Sequence, residues 1–170
     1  MSPEELGRAL REDDGPFLKN RRWIVTLSLF NVAVMGIISL FQMGILKHVP
    51  EIPLPGEDGD KINGSPQAYE LLQTPDAVLA VGSYAATAGL AAMGPPDRAK
   101  ALPLAAFFMG VKAIADAAFA IKLLIDQPVK YSAYCALCVT GALGTLAAAP
   151  LAWPEARAAW DHIRESKSNE

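Results

Sequence analysis

Cysteine is scarce in this chain. Its 170 residues include only 2, so neither a disulfide-dense secreted scaffold nor a four-thiolate metal centre can be built. Histidine is as rare, with 2, and His48 and His162 lie on either side of the apolar segments described below. No metal site is expected. Charge is low at 19%, and the formal balance of −3 contains no basic arm, which argues against nucleic-acid binding. The 52% hydrophobic content excludes a wholly disordered chain. No internal repeat or low-complexity tract is present.

What charge there is falls in short blocks. Residues 23–46 contain no Asp, Glu, Lys or Arg. A helix of that length covers about 36 Å, enough for a bilayer core of about 30 Å. Uncharged runs recur over 77–96 and 131–154, and the stretch from Ala101 to Ile121 is interrupted only by Lys112 and Asp116. A soluble bundle of buried helices would need polar faces with a 3.6-residue period, and the first and last runs show almost none. The expectation is therefore all-α: an integral membrane four-helix bundle. Its spans are 23–46, 77–96, 101–123 and 131–153, inside a domain of 23–154, with an outer loop over 47–76. Small residues in the second and third spans favour close helix contact.

Lys and Arg set the expected orientation. Arg8, Arg11, Lys19, Arg21 and Arg22 precede the first span, Arg98 and Lys100 join the second to the third, and Arg157, Arg164 and Lys167 follow the fourth. The other side has few basic residues and an acidic first loop. The positive-inside rule then makes 1–22 a cytoplasmic N-terminal segment and 155–170 a cytoplasmic C-terminal tail. The first run is too long for a cleaved signal peptide and lacks a small-x-small site. The loop opens with Pro- and Gly-rich turn chemistry. Ser65-Pro66 then has the form of an N-cap followed by a first helical position.

Both cysteines lie in Tyr131-Ser-Ala-Tyr-Cys135-Ala-Leu-Cys138, placed in the first turns of the fourth span at its outer end. Positions i and i+3 share a helix face. A helix N-terminus favours a thiolate, as a reversible dithiol–disulfide couple requires. The alternative is two small buried apolar residues. Tyr131 and Tyr134 are interfacial aromatics that mark the membrane boundary. Lys112 and Asp116, one turn apart within a span, are either a neutralising pair that locks the third helix or a proton-handling pair. Lys122 and Asp126 repeat the spacing as a solvated pair.

The chain resembles the bacterial vitamin K epoxide reductase (VKOR) family over roughly residues 22–160. The resemblance rests on Lys130-Tyr-Ser-Ala-Tyr-Cys-Ala-Leu-Cys138, which is similar to the family's aromatic-flanked C-x-x-C. It rests also on Ile62-Asn-Gly-Ser65 with Ala68-Tyr69 and Pro75, similar to its N-S-S segment. Lys112-Ala-Ile-Ala-Asp116 and Trp153-Pro-Glu-Ala-Arg157 are similar to features of one bacterial branch.

The resemblance implies a multi-pass protein of the bacterial inner membrane, with a redox-active centre whose disulfide forms between Cys135 and Cys138. Such a thiol-disulfide oxidoreductase would pass electrons from a periplasmic dithiol to a quinone, ubiquinone or menaquinone. Cys138 would face the quinone and Cys135 would exchange with the donor, a periplasmic thioredoxin-like protein or a small thiol. Asn63, Ser65, Tyr69 and Tyr84 are the expected cofactor-binding residues, with Phe107, Phe108 and Phe119 as further aromatics. Lys112 and Asp116 are the candidates for proton handling.

Two departures stand out. The family's loop cysteines, one of which would fall near Gly59 or Asp60, are absent, and Ala142 stands where the family has a quinone-binding tyrosine. Either a partner attacks Cys135 directly, or a small thiol does, or the redox function is altered or lost. A non-catalytic membrane partner or assembly protein that retains the fold is the alternative. A small channel or carrier built on Lys112 and Asp116 is a third reading.

Overall fold

The structure is a computed structural model that describes residues 1–168. All of its regular elements are helical, and among the described residues the one β-type contact is an isolated parallel bridge between Glu57 and Tyr134. Helix α1 (Pro3–Glu12) is opened by a capping box between Ser2 and Glu5. Then come α2 (Leu18–Gln42), a short α3 (Gly59–Asn63), two 3-10 turns (Pro66–Tyr69 and Leu71–Gln73) and α4 (Asp76–Ala92). The chain continues with α5 (Arg98–Ala101), α6 (Pro103–Asp126), a π turn (Gln127–Tyr131) and α7 (Ala136–Ser168).

Three helical stretches are long and apolar enough to cross a membrane: Leu18–Gln42, Pro103–Tyr131 and Ala136–Ser168. The remaining apolar helix, α4, has 17 residues and spans about 25 Å. It stops at Ala92 because Gly94 takes a left-handed φ of +83° and Pro95-Pro96 cannot continue it. Its freed carbonyls are gathered by one side chain. Arg21 donates to the carbonyls of Ala91, Ala92, Met93, Gly94 and Pro95 at 2.7–3.3 Å. Arg98, buried beside it, pairs with Glu155 of α7 and also donates to Leu90 O.

The bundle is packed on small residues. Helix α2 lies mainly against α4 and α7, and α6 mainly against α7. Ala106, Ala113, Ala148, Ala152 and Ala159 are buried, while Leu29, Phe30, Phe108, Phe119 and Leu143 point outward. This inverts the soluble pattern and suits an apolar solvent. A Cβ at Gly110 would collide with Ala156, so glycine is what lets α6 reach α7 there.

The cysteine end differs from its expected form. The helix predicted to begin at residue 131 begins at Ala136. Ser132 turns left-handed after the π turn, and Tyr134 pairs with the loop instead. At the other end α7 runs past Pro154 to Ser168, and its Glu155 is held inside by Arg98.

Candidate functional site

The loop reaches the cysteines as a strap. Asp58 N–H donates to Tyr134 O (2.9 Å) and Tyr134 N–H to Gly56 O (3.0 Å). Gly56 sits at φ +84°, with the Tyr134 ring over it. Glu57 accepts from Ile52 N–H (2.9 Å) and from Ala136 N–H (3.3 Å), placing a carboxylate on the half-buried N-terminus of α7. Further back, Asp60 accepts from Val49 N–H and contacts His48 Nδ1, each at 2.7 Å. Partial burial raises the Asp60 carboxyl, but the Val49 N–H and His48 outweigh it and hold it below its ordinary 3.8.

Beneath the strap lies the C-x-x-C, both thiols free. Cys135 is 1% exposed. Its backbone N–H donates to the buried Gln127 Oε1 (2.8 Å), and its sulfur accepts from Cys138 N–H (3.3 Å) and Asn63 Nδ2 (3.3 Å). Cys138, in the first turn of α7, donates its S–H to Asn63 Oδ1 (3.2 Å). The orientation of the Asn63 amide is fixed independently, because Nδ2 also donates to Gly59 O at 2.8 Å. One amide therefore presents a donor to Cys135 and an acceptor to Cys138. That polarity suits a negative charge on Cys135 and a proton on Cys138.

A cavity of about 300 Å3 opens beside Cys138. It lies between α4 and α6, is roofed by the loop, and is walled mostly by apolar side chains. Asn63, Ser65, Tyr84, Asp116 and Phe119 line it together with Cys138 and Ala142. Cys135, Tyr69 and Lys112 are not on its wall. Tyr69 donates to Gln42 O (3.1 Å) and braces the loop against α2. Phe107 stacks on Trp160 and Phe108 is exposed, so neither joins the site. Both Asn63 N–H groups are already used. Ser65 sits 3.1 Å from Tyr131 Oη, which also reaches Gln67 Oε1 at 2.8 Å. Tyr84 shares a hydrogen bond with Thr145 (2.8 Å).

Asp116 brings the ionisable pair of α6 to this wall, with Lys112 behind it. Lys112 Nζ donates to Asp116 (2.6 Å), Ser83 (2.8 Å) and Thr87 (2.8 Å), using all three of its protons. Asp126 is clasped by the more exposed Lys122 and Lys130. Among the described residues no cluster of three or more His, Cys, Asp or Glu could hold a metal ion.

The sequence reading missed Glu57, Gln127, Gln42 and Asn31. Gln42 donates to Asp76 (2.6 Å) and accepts from Ala77 N–H, capping α4 at the cavity's edge. Gln42 and Asn31 were visible as polar residues inside an uncharged run; Glu57 and Gln127 carried no local signal.

No curated protein and no solved structure matches the chain. A family model does, over residues 20–153, a stretch that takes in most of α2, the strap, both cysteines and the cavity. The chain belongs to the vitamin K epoxide reductase family.

Proposed function

We propose that the protein is a thiol-disulfide oxidoreductase of the bacterial inner membrane that passes electrons from a periplasmic dithiol to a quinone. The observation that carries this is Cys138 at the junction of two environments. Its backbone N–H donates to the buried Cys135 sulfur on one side, and the residue lines an apolar-walled cavity on the other.

In this reading 23–154 is the catalytic domain, its four apolar helices all cross the bilayer, and the segments 1–22 and 155–170 are cytoplasmic. The strap is then periplasmic. In the oxidised protein a donor thiolate attacks Cys135. A donor–Cys135 bond forms, the Cys135–Cys138 bond breaks, and Cys138 leaves as the thiolate. A second donor thiol, on the same molecule or another, attacks the mixed disulfide and releases Cys135. The donor, a thioredoxin-like protein or a small thiol, ends oxidised and the C-x-x-C reduced. With the loop cysteines absent, the donor acts on Cys135 without a relay.

The cavity fits a quinone ring: it is the right size, its wall is mostly apolar, and Asn63 meets Cys138 at that wall. A bound quinone, ubiquinone or menaquinone, supplies a two-electron, two-proton acceptor. Cys138 presents its sulfur to that acceptor. Asn63 holds the sulfurs in register, and Ser65 and Tyr84 offer hydroxyls from the wall. Closure of the Cys135–Cys138 bond releases the two electrons. The other reading, a non-catalytic partner, is favoured by the burial of Cys135 under the strap.

Maleimide trapping of the cysteines in native membranes separates the two. The pair is expected to be oxidised with quinone present and to become reduced when quinone is depleted. A redox state indifferent to quinone overturns the oxidoreductase reading.

A further inference from the structure

We propose that the Lys112–Asp116 pair supplies one of the two protons needed at the quinone, and that a buried water between Asp116 and Asn31 recharges it. The proposal rests on the quinone-linked reading above and deepens it.

A proton count requires such a source. With one cysteine of the pair as thiolate and the other as thiol, disulfide formation yields two electrons and one proton. Reducing a quinone to hydroquinone consumes two of each. One proton is missing, and the cavity wall must provide it. Asp76 is bonded to Gln42 and has no cation beside it. Asp126 also lines the cavity, but at the end beside the π turn, where the exposed Lys122 and Lys130 clasp it and trade protons with water. Asp116 lines the cavity and carries a lysine ammonium at 2.6 Å, so a proton leaving from its side comes from Lys112.

A second observation places the refill. Behind the cavity is a void of about 10 Å3, room for one water. Asp116 and Tyr84 line both spaces. Asn31, 1% exposed, also lines the void, and its Oδ1 is the buried side-chain polar atom left without a hydrogen-bond partner among the described residues. Its Nδ2 is committed to Gly141 O and Thr145 Oγ1, which fixes Oδ1 on the other side. Gly144 has no side chain to cover it. Thr87, Thr145 and the buried Ser28 complete the polar lining. A water bonded to Asn31 Oδ1 satisfies the orphan and gives Asp116 a proton neighbour away from the quinone. Through it a proton from bulk water returns Lys112 to its ammonium form.

The test uses the full-length protein in liposomes, reduced with dithiothreitol and mixed anaerobically with a short-chain ubiquinone. Hydroquinone is followed by absorbance and the thiols by alkylation. Asp116→Asn, and Lys112→Met/Asp116→Asn in case the lone lysine unfolds the bundle, are expected to accept electrons from dithiothreitol normally. Both are expected to form hydroquinone at least about a hundredfold more slowly. Added azide or formate, small permeant acids, restores the rate, and Asp116→Glu retains most of it. Ala148→Val, which fills the void, slows the same step at least about tenfold.

Asp116 variants that form hydroquinone at the wild-type rate overturn the proposal. So does a loss that weak acids leave unchanged, or one that falls equally on the dithiothreitol step. A wild-type rate in Ala148→Val removes the water from it. A wild-type protein whose thiols ignore quinone instead overturns the oxidoreductase reading.

Discussion

At the scale of single residues, the Asn63 amide sets the difference between two chemically identical thiols. It donates to Cys135 and accepts from Cys138, with Gly59 O holding it in that sense. A buried hydrogen bond left unmade costs about 1–3 kcal/mol, roughly 5- to 150-fold in rate. Asn63→Leu is therefore expected to slow thiol oxidation by quinone within that range. Asn63→Asp should slow it as much despite its matching size, since it offers Cys135 an acceptor. Stopped-flow mixing of reduced variants with quinone measures both. Asp60 gives a pH dependence. Its folded carboxyl titrates below its ordinary value, so its contribution to loop stability is complete above that value. It is lost as the pH falls through the lower, folded one. Hydrogen exchange at the Val49 amide should stay slow down to about pH 4 and quicken below it.

At the scale of elements, the strap and the helix contacts make separate predictions. Glu57 ties the strap to the start of α7 through two backbone N–H groups. Glu57→Ala should raise the alkylation rate of Cys135, read in a Cys138→Ser background, by several-fold or more, because local opening becomes cheaper by about 1–3 kcal/mol. An unchanged rate would mean that the strap does not limit access. Gly110→Ala forces α6 from α7 and should cost about 1–3 kcal/mol. Gly82→Ala faces open space and should cost nothing measurable. Arg98→Met strands the buried Glu155, a loss of about 3–5 kcal/mol. Thermal unfolding in detergent ranks the three.

At the scale of the whole molecule, the gap between uncharged runs and true helix ends shows what the sequence could convey. Hydropathy located α2, α4, α6 and α7 because each must bury or expose a whole apolar surface. It could not locate their ends, which long-range partners decide. Arg21 caps the freed carbonyls at the end of α4 from 70 residues away, and Arg98 holds the Glu155 carboxylate where α7 runs on past Pro154. Counting Arg21 and Arg98 as topogenic charges hid the fact that both are buried. The C-x-x-C was plain from spacing, whereas its strap is made of backbone pairing that leaves no residue pattern. Tyr69, expected among the cofactor-binding residues, turns to Gln42 O and does not line the cavity. Reporter tags at the two termini should both report the cytoplasm; a periplasmic C-terminus would put the cysteines on the wrong side.

The most direct measurement is an anaerobic titration of the fully reduced, purified protein with quinone, counting thiols lost against hydroquinone formed. The account predicts one hydroquinone for each Cys135–Cys138 disulfide and none in Cys138→Ser. Hydroquinone formation without disulfide, or thiols that persist in excess quinone, would contradict it.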